Sequence, residues 1–545
     1  MHGKGQRHLD IFPRISKGLQ NVLSIAVTLR IQIMNLVSIK CTMGLWTNAE
    51  RSFLEAVGRL AYANPFLPER VQLEKSALGK HFVPVPTFWS SSPFKPETIN
   101  PNLWKISEKL EPLIARSRDR IAAGDLSKED AMVYESAVHH LLYQRCYPEF
   151  IAGGQTRWGF YKKFVADWDF FFQIPGKQFE TQWQPAHAFA CFWHIQRAFH
   201  HIFDGIIGNS LPAAKLRASV WESIFTHDMH RYRRSLYKKM EQFPTLITGP
   251  SGSGKEIVAR AIAGSRYIAF NANRLSFEEP KEEFFHAINM AALSPALIES
   301  ELFGHRRGAF TGAVGDRKGY LESCPQLGSV FLDELGELDI SLQAKLLRVL
   351  ETRTFQQVGD VASRKFEGKL IAATNRDLAN EIANGTFRED LYYRLCADRI
   401  QTPGLAEQLK DRPEMLEELA LYMAQRAAGE EAETLSQDVN AWMARELPAN
   451  YSWPGNYREL EQCVRNILIR RGYQPLRQFK PAGQDTFYDQ MSRGEVTAGQ
   501  VLSFYSALVY SQCGSYEETA RRLDLDRRTV KRYVSAQLVL EKTKS

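Results

Sequence analysis

The chain lacks the cysteine spacing of a zinc module or a disulfide framework. Its 545 residues include seven cysteines but no C-x-x-C pair, whereas zinc modules and small disulfide-rich domains are built on closely spaced cysteines. The cysteines are Cys41, Cys146, Cys191, Cys324, Cys396, Cys463 and Cys513. A reducing compartment fits this usage, and we predict a cytoplasmic protein.

The chain also lacks a clean membrane segment or signal peptide. Residues 19–39 are apolar but include Arg30 and several amide side chains, and a charge near the centre of a membrane span is costly. No small-residue cleavage site follows a short apolar core. We expect no membrane insertion, and we interpret residues 1–42 as a non-native or disordered leader before Met43. Residues 46–50 resemble the start of a capped amphipathic helix.

Charge of one sign is not in large excess. Lysine and arginine number 69 against 62 acidic residues, which gives a net charge of +7 and a pI near 8.9. This balance mildly favours an anionic partner, but an even surface distribution would give the same totals. At 44% hydrophobic residues, the chain is long enough for about three or four globular domains.

The first part of the chain predicts a mostly α-helical domain over residues 43–220. Apolar residues recur at three- and four-residue spacing in 129–143 and 185–203. Several side chains here invite a metal hypothesis: His187, Cys191, His194, His200 and His201. No metal motif supports that hypothesis, so we favour a helix packed through its aromatic residues. No segment resembles a receiver domain, and the sequence does not choose between a small molecule, a protein and a metal as the regulatory ligand.

A phosphate-binding loop follows an apolar run at residues 244–248. Its glycines allow backbone N–H groups to close on phosphate oxygens, and its lysine reaches the β- and γ-phosphates. The loop comprises Gly249, Pro250, Ser251, Gly252, Ser253, Gly254 and Lys255. Glu256 occupies the position where the general pattern has Ser or Thr. A helix pattern over 256–262 completes the strand, loop and helix order that such a site requires.

Acidic and amide residues end two further apolar runs. Asp333 and Glu334 follow the first run, where Asp333 can hold Mg²⁺ and Glu334 can polarise the attacking water. Asn375 follows the second run and can sense the γ-phosphate. Helix patterns alternate with these strands, which predicts a parallel sheet with helices on both faces.

Two other features suggest an ATPase with a moving part that contacts a partner. Residues 308–313, Gly-Ala-Phe-Thr-Gly-Ala, form an apolar tip between glycines, which suggests a loop that contacts a partner. Arg388 and Arg394 lie six residues apart. They could be ordinary surface arginines, but ring ATPases insert such arginines into the neighbouring subunit's site to stabilise transition-state charge.

Residues from about 246 to 470 closely resemble the AAA+ domain of bacterial sigma-54-dependent transcriptional activators, the enhancer-binding proteins. The phosphate loop ending Gly-Lys-Glu and the segment 299–313 carry this resemblance. It implies ATP and Mg²⁺ as cofactors, sigma-54 RNA polymerase as partner and a hexameric ring. Phe310 and Thr311 would contact sigma-54, and Asn289 would couple the catalytic glutamate to the nucleotide state.

The same resemblance assigns further roles. Arg388 and Arg394 look like trans-acting arginines, Asn375 like sensor I, and residues 453–460 like the sensor II region, from which Arg458 would face the nucleotide in a helical lid. Glu256 is usual for the family. Two segments depart from it: residues 267–285, which we interpret as a surface insertion, and residues 402–407, where a loop containing arginine is common.

The last fifty or so residues predict a DNA-binding domain. Helix patterns over 501–512, 516–523 and 527–534 are similar to the Fis-type helix-turn-helix that ends this family. The second helix of that motif would present basic and hydroxyl side chains to DNA, although a basic amphipathic helix can also be plain surface. These residues are Arg527, Arg528, Thr529, Lys531 and Arg532.

The fold class expected is multidomain: a mostly α N-terminal domain, an α/β P-loop AAA+ core with a helical lid, and an α helix-turn-helix domain. We place the AAA+ α/β part at 221–400, the lid at 401–475, a linker at 476–495 and the helix-turn-helix at 496–545. An ATP-hydrolysing activator of sigma-54 promoters is the leading hypothesis. The alternatives are a nucleotide-regulated DNA-binding repressor and an AAA+ enzyme that remodels other substrates.

Overall fold

A computed structural model describes residues 45–84, 100–152, 158–180, 184–278, 284–448, 450–475, 491 and 494–542. The predicted leader at 1–42 and most of the predicted linker lie outside these residues. The chain divides into two compact units, Met1–Gly472 and Tyr473–Ser545. No helix in the described ranges has the length and hydropathy needed to cross a bilayer.

Among the described residues, eight α-helices precede the sheet; the patterns at 129–143 and 185–203 correspond to two of them. The eight are α1 (Asn48–Leu60), α2 (Glu69–Leu78), α3 (Pro101–Ala123), α4 (Lys128–Ile151), α5 (Tyr161–Phe172), α6 (Pro185–Gly205), α7 (Leu211–Phe225) and α8 (Met229–Arg234). Thr47 accepts from the backbone of Glu50, whose side chain accepts in return from the backbone N–H of Thr47. This capping box satisfies two backbone N–H groups and fixes the start of α1, so the capped helix is confirmed.

A short β-hairpin within the ATPase core packs against the helical region. Its strands, Phe270–Asn271 and Ser276–Phe277, pair antiparallel within the insertion expected at the surface. The Phe270 ring lies 4.8 Å from that of Phe189 on α6, and the Phe277 ring lies 4.7 Å from that of Trp158. The aromatic side of the insertion is therefore packed in the helical core, because two phenylalanines find a better environment there than in water.

Five parallel strands form the central sheet in the order β5-β1-β4-β3-β2. They are β1 (Thr245–Thr248), β2 (Phe285–Asn289), β3 (Ser329–Asp333), β4 (Lys369–Thr374) and β5 (Asp398–Gln401). Leu246 and Ile247 pack into separate clusters on opposite faces of the sheet. Both faces are covered by helices, which explains the near-continuous apolar runs and confirms the predicted parallel sheet.

Six helices lie between the strands: α9 (Lys255–Gly264), α10 (Pro295–Phe303), α11 (Tyr320–Ser323), α12 (Ile340–Thr352), α13 (Leu378–Ala383) and α14 (Glu389–Leu395). Four more follow the sheet: α15 (Leu405–Asp411), α16 (Met415–Ala428), α17 (Ala432–Glu446) and α18 (Asn456–Arg470). Two further antiparallel hairpins pair Gly304–His305 with Arg317–Lys318 and Thr354–Phe355 with Arg364–Lys365.

The second unit contains α19 (Ala498–Cys513), α20 (Tyr516–Leu523) and α21 (Arg527–Lys542). Ala520, Val530 and Val534 form its small buried core. Asp524 adopts a left-handed backbone between α20 and α21, and Asp526 accepts from the backbone N–H groups of the first turn of α21. Three helices with a tight turn between the last two match the predicted secondary structure.

Candidate nucleotide site and contact loop

The phosphate loop runs from the end of β1 to the start of α9. Gly249, Gly252 and Gly254 all have positive φ angles, of 151°, 73° and 91°, a conformation open to glycine at little cost. A Cβ on Gly252 would lie 2.3 Å from the carbonyl oxygen of Gly455. Glycine at this position therefore permits both the loop conformation and the close approach of the segment before α18.

Lys255 is buried at the first position of α9. Its Nζ donates to the carbonyl oxygens of Gly249 at 3.1 Å and Pro250 at 3.3 Å. Burial lowers the pKa of this ammonium group, and the carboxylates of Glu334 and Asp333 partly offset that effect. The lysine therefore lies within the loop, close to both acids at the end of β3.

Asp333 is the last residue of β3 and lies opposite Asn289, the last residue of β2. The Nδ2 atom of Asn289 donates to Asp333 Oδ2 at 3.4 Å, and the backbone N–H of Glu334 donates to Asp333 Oδ1 at 3.0 Å. Burial raises the pKa of Asp333, while Glu334 N–H and Lys255 act in the opposite direction. Glu334 itself has a φ of 52°, a left-handed conformation that is uncommon outside glycine and clusters at functional sites.

The segment that begins α18 closes over the phosphate loop. Asn456 Nδ2 donates to the carbonyl oxygen of Ser251 at 2.8 Å, and the backbone N–H of Tyr457 donates to that of Gly252 at 3.1 Å. Arg458 Nη1 donates to Ser251 Oγ at 3.3 Å. Arg458 thus lies at the loop, on the face where a phosphate would bind.

A cavity of about 360 Å³ joins these groups. It is lined by residues 251–255 of the phosphate loop and by Glu256, Asp333, Glu334 and Arg458. Sequence reasoning missed its apolar side, to which α6, α7 and the segment between them contribute. These residues are Gly205, Ile206, Ile207, Ala213 and Leu216. No motif marks them, because apolar residues near helix ends have no distinctive pattern.

Three other predicted residues do not line this cavity. Asn375 is exposed just after β4, at the same edge of the sheet as Asp333. Arg388 precedes α14 and pairs with Asp390 at 2.6 Å, and Arg394 donates to the carbonyl oxygen of Leu350 at 3.2 Å. Both arginines are exposed.

The apolar hexapeptide forms the turn of the 304–318 hairpin. Within it, the backbone N–H of Gly308 donates to the Ala313 carbonyl at 2.9 Å, and that of Ala313 donates to the Phe310 carbonyl at 3.0 Å. Phe310 packs its ring against His305 at 4.9 Å yet stays partly exposed, and Thr311 is exposed. The tip is a closed turn in which Ala313 is buried while Phe310 and Thr311 remain accessible.

A second exposed tip lies beside the first, and sequence reasoning missed it. Val361, at 91% exposure, lies between the strands of the 354–365 hairpin. The two hairpins are joined by a bridge between His305 and Val358 and by an ion pair between Arg306 and Asp360 at 3.2 Å. An isolated valine carries no sequence signal for such a role.

In the C-terminal unit, the predicted DNA-binding residues lie on the first two turns of α21. Arg528, Lys531 and Arg532 are exposed. Arg527 pairs with Glu517 at 2.8 Å, and the hydroxyl group of Thr529 donates to Asp526. Thr529 therefore helps to hold the helix start in this conformation.

The helix α6 packs through its aromatic residues, but His194 is buried in the packing rather than at its boundary. His194 is buried, with Nε2 2.7 Å from the Ser265 carbonyl oxygen and Nδ1 3.0 Å from the Tyr232 hydroxyl group. Burial raises the pKa of the Cys191 thiol to about 12, so it stays protonated. No cluster of three or more metal-binding side chains occurs in the part of the chain that the structure describes.

The sheet order, the phosphate loop and the paired acids after β3 define a P-loop ATPase core of the AAA+ class. Comparison with known families makes the class more specific. Residues 225–401 match the model of the Sigma-54 interaction domain. Over this segment the chain is similar to the sigma-54 interaction domain, which is an AAA+ ATPase domain, as the sequence motifs indicated.

Individual relatives agree. The Nif-specific regulatory protein of Herbaspirillum seropedicae is 43% identical over 228 residues, which cover 42% of this chain and 39% of that protein. The luminescence regulatory protein LuxO of Vibrio campbellii is 44% identical over 223 residues, covering 41% of this chain and 45% of LuxO. The regulatory protein AtoC of Escherichia coli is 41% identical over 230 residues, covering 42% and 46%. The match therefore spans less than half of each relative.

Proposed function

We propose that this chain is an ATP-hydrolysing transcriptional activator that binds upstream DNA and remodels sigma-54 RNA polymerase closed complexes to open promoters. The observation that carries the proposal is one compact unit in which the acids beside the phosphate loop are linked to an exposed apolar hairpin. Asn289 contacts Asp333 and is followed by α10, which ends where the 304–318 hairpin begins.

The residues of the cavity fit ATP and a magnesium ion. Lys255 and the loop N–H groups would hold the phosphates, Asp333 would hold the metal, and Arg458 would contact the nucleotide from the lid. A bound Mg²⁺ would supply positive charge that neutralises the negative charge developing during transfer. Glu334 would orient and polarise the attacking water, with Asn375 nearby at the sheet edge.

Arg388 and Arg394 support assembly into a ring, which we propose to be a hexamer. Both are exposed and lie outside the cavity of their own chain. An arginine supplied by a neighbouring subunit can stabilise the negative charge of the transition state. In this arrangement, each chain would need its neighbour for fast hydrolysis.

A change at the nucleotide has a physical route to the hairpin. Ser300 on α10 lies 2.7 Å from Nδ1 of His305, and the His305 ring packs on Phe310. Phosphate release would change the charge around Asp333 and so alter its contact with Asn289, at the start of this route. We propose that Phe310 and Thr311 contact sigma-54, and that Val361 on the adjoining hairpin shares that contact.

The exposed basic residues of α21 support DNA binding as the second activity. Lys531, Arg528 and Arg532 would contact phosphates or base edges in the major groove, as in other helix-turn-helix proteins. Thr529 and Arg527 lie at the N-terminal end of the helix, the part that approaches the bases most closely.

The alternative is a nucleotide-regulated repressor that binds DNA without activating polymerase. Promoter opening distinguishes the two: the full-length chain is mixed with sigma-54 polymerase and a sigma-54 promoter, and single-stranded DNA is detected with permanganate. An activator yields opening with ATP and none with ADP. A chain that binds DNA but neither hydrolyses ATP nor opens the promoter would be the repressor.

A further inference from the structure

The helical region contains a cavity separate from the nucleotide site. It has a volume of about 340 Å³ and is enclosed by helices α2, α3, α4, α6, α7 and α8 together with residues 60–65. Its volume lies at the lower end of the range of about 300–1,000 Å³ that is typical of small-molecule sites. Trp104 lines it and is 60% exposed, so the cavity opens to solvent beside this ring.

Most of the lining is apolar or aromatic. Phe192, Ile195 and Phe199 of α6 form one wall, and Leu103 and Tyr143 contribute from α3 and α4. Rings and branched chains at several angles suit a compact ligand with a ring, because such a ligand buries apolar area on both of its faces.

Two buried polar atoms in the lining have no hydrogen-bond partner among the described residues. They are Nε1 of Trp221 and Nε2 of His140, and each residue is only 4% exposed. Buried polar groups in folded proteins are nearly always satisfied, and an exception calls for a physical reason. The indole N–H is a donor only, so the missing partner of Trp221 is an acceptor.

A carboxylate would make a stronger, charge-assisted hydrogen bond to this donor than a neutral acceptor would, and charged side chains also line the cavity. Three arginines and one glutamate line it. Arg70 pairs with Glu74, and Arg145 pairs with both Glu111 and Asp167. Arg233 is buried and donates to the Tyr62 hydroxyl group at 2.9 Å. Burial lowers the pKa of His140 to about 4, so that imidazole is neutral and adds no charge.

We propose that this cavity is a binding site for a small ring-bearing carboxylate, whose acid group accepts a hydrogen bond from Trp221 and whose rings pack against Phe192 and Phe199. No residue lines both this site and the nucleotide cavity. The ligand of this site would be the regulatory signal. The sequence left a small molecule, a protein and a metal open as that signal, and the cavity favours a small molecule.

Naphthoate is a suitable probe because it combines two fused rings with one carboxylate, and its binding to the full-length chain is measured by titration calorimetry. Naphthylmethylammonium has the same rings but offers a cation in place of the acceptor. The chain also supplies a matched control: Trp193 on α6 has a buried Nε1 without a partner among the described residues, but it does not line the cavity.

We expect one naphthoate per chain and no binding of the ammonium compound. Trp221→Phe should weaken naphthoate binding about tenfold, as expected for the loss of one hydrogen bond to a charged group, whereas Trp193→Phe should leave the affinity unchanged. Ser107→Trp, which fills the cavity from α3, should abolish binding while the melting temperature shows a folded chain. The proposal is overturned if naphthoate does not bind at millimolar concentration, or if it binds Trp221→Phe and Ser107→Trp as tightly as the original chain.

Discussion

At the scale of single residues, the nucleotide site places a lysine and two acids at one edge of a parallel sheet. Asp333 accepts from Asn289 on the neighbouring strand and from the backbone of Glu334. Glu334 is held in a left-handed conformation. This arrangement separates the two acids: Asp333 is hydrogen-bonded to the neighbouring strand, and Glu334 is the acid that we propose to activate the attacking water.

Replacing Glu334 by Gln should preserve ATP binding and reduce hydrolysis by at least a hundredfold. The amide keeps the size of the side chain but is a far weaker base than the carboxylate, and general-base catalysis typically contributes 10²–10⁴-fold. Binding is measured with a fluorescent ATP analogue and hydrolysis by phosphate release. Glu337→Gln is the matched control: Glu337 pairs with Arg376 on the surface and does not line the cavity, so its turnover should be normal. Normal turnover in Glu334→Gln would assign the base elsewhere.

Motifs made the catalytic residues predictable, since Lys255, Asp333 and Glu334 occupy fixed positions in local patterns. The second cavity was not predictable in the same way. Arg70, His140, Trp221 and Arg233 are spread over more than 160 positions of the sequence and are brought together by helix packing alone. Each one reads in the sequence as an ordinary amphipathic helix residue.

At the scale of elements, α6 and α7 belong to both cavities. Phe192 on α6 and Trp221 on α7 line the ligand cavity, while Gly205 and Leu216 on the same helices line the nucleotide cavity. Side chains also fix α6 to the end of α9: Arg197 Nη2 donates to the Gly264 carbonyl oxygen at 2.6 Å. A shift of either helix would therefore change the lining of both cavities.

Binding at the two cavities should be linked. We expect saturation with a non-hydrolysable ATP analogue to change naphthoate affinity by a factor between about 5 and 150, the usual range of coupling between sites. Naphthoate must then change the affinity for the analogue by the same factor, because linkage is reciprocal. Calorimetry of each ligand with and without the other gives both numbers. If the affinity for each ligand changes by less than twofold when the other is bound, the shared helices do not couple the two sites.

Elements were predicted best where a cap or a strong pattern defines them. The Thr47 and Glu50 capping box and the apolar strands are local signals, and both were confirmed. The 270–277 hairpin shows the limit: its sequence reads as a polar insertion, but Phe270 and Phe277 pack against the aromatic core of the preceding helices. Packing between residues far apart in the sequence has no signal in the local sequence pattern.

At the scale of the whole molecule, the predicted boundary at residue 220 falls inside α7. The segment before this helix also contacts the lid: Asn209 donates to Glu418, and Ser210 Oγ lies 3.2 Å from Gln408 Oε1. A truncation that removes residues 1–220 would cut one wall of the nucleotide cavity. A regulatory deletion that ends before Ile206 keeps the part of that wall formed by Ile206, Ile207, Ala213 and Leu216, although it removes Gly205 and exposes the face of α9 that α6 covers.

Mixing two inactive chains tests whether Arg394 acts on a neighbouring subunit. Arg394→Ala should lower hydrolysis about 10³-fold or more, in line with trans-acting arginines. It keeps its own cavity, and the Glu334→Gln chain keeps its arginine. In mixed rings, a site should be active where an Arg394→Ala subunit, which keeps Glu334, lies next to a Glu334→Gln subunit that supplies Arg394. With equal amounts and random neighbours, this arrangement occurs at about a quarter of the sites, so the rate should reach at most about a quarter of the original. Arg399→Ala is a control, since that exposed arginine has no assigned role. A mixture as inactive as its components would contradict action in trans.

We propose that ATP hydrolysis acts on sigma-54 through the hexapeptide loop of residues 308–313. Thr311→Ala in the full-length chain tests it most directly, with phosphate release and permanganate detection of promoter opening measured on the same samples. Thr311 is exposed at the tip and does not line the nucleotide cavity. We expect this variant to hydrolyse ATP normally and to open no promoter; opening at the original rate would show that the loop does not act on sigma-54 in this way.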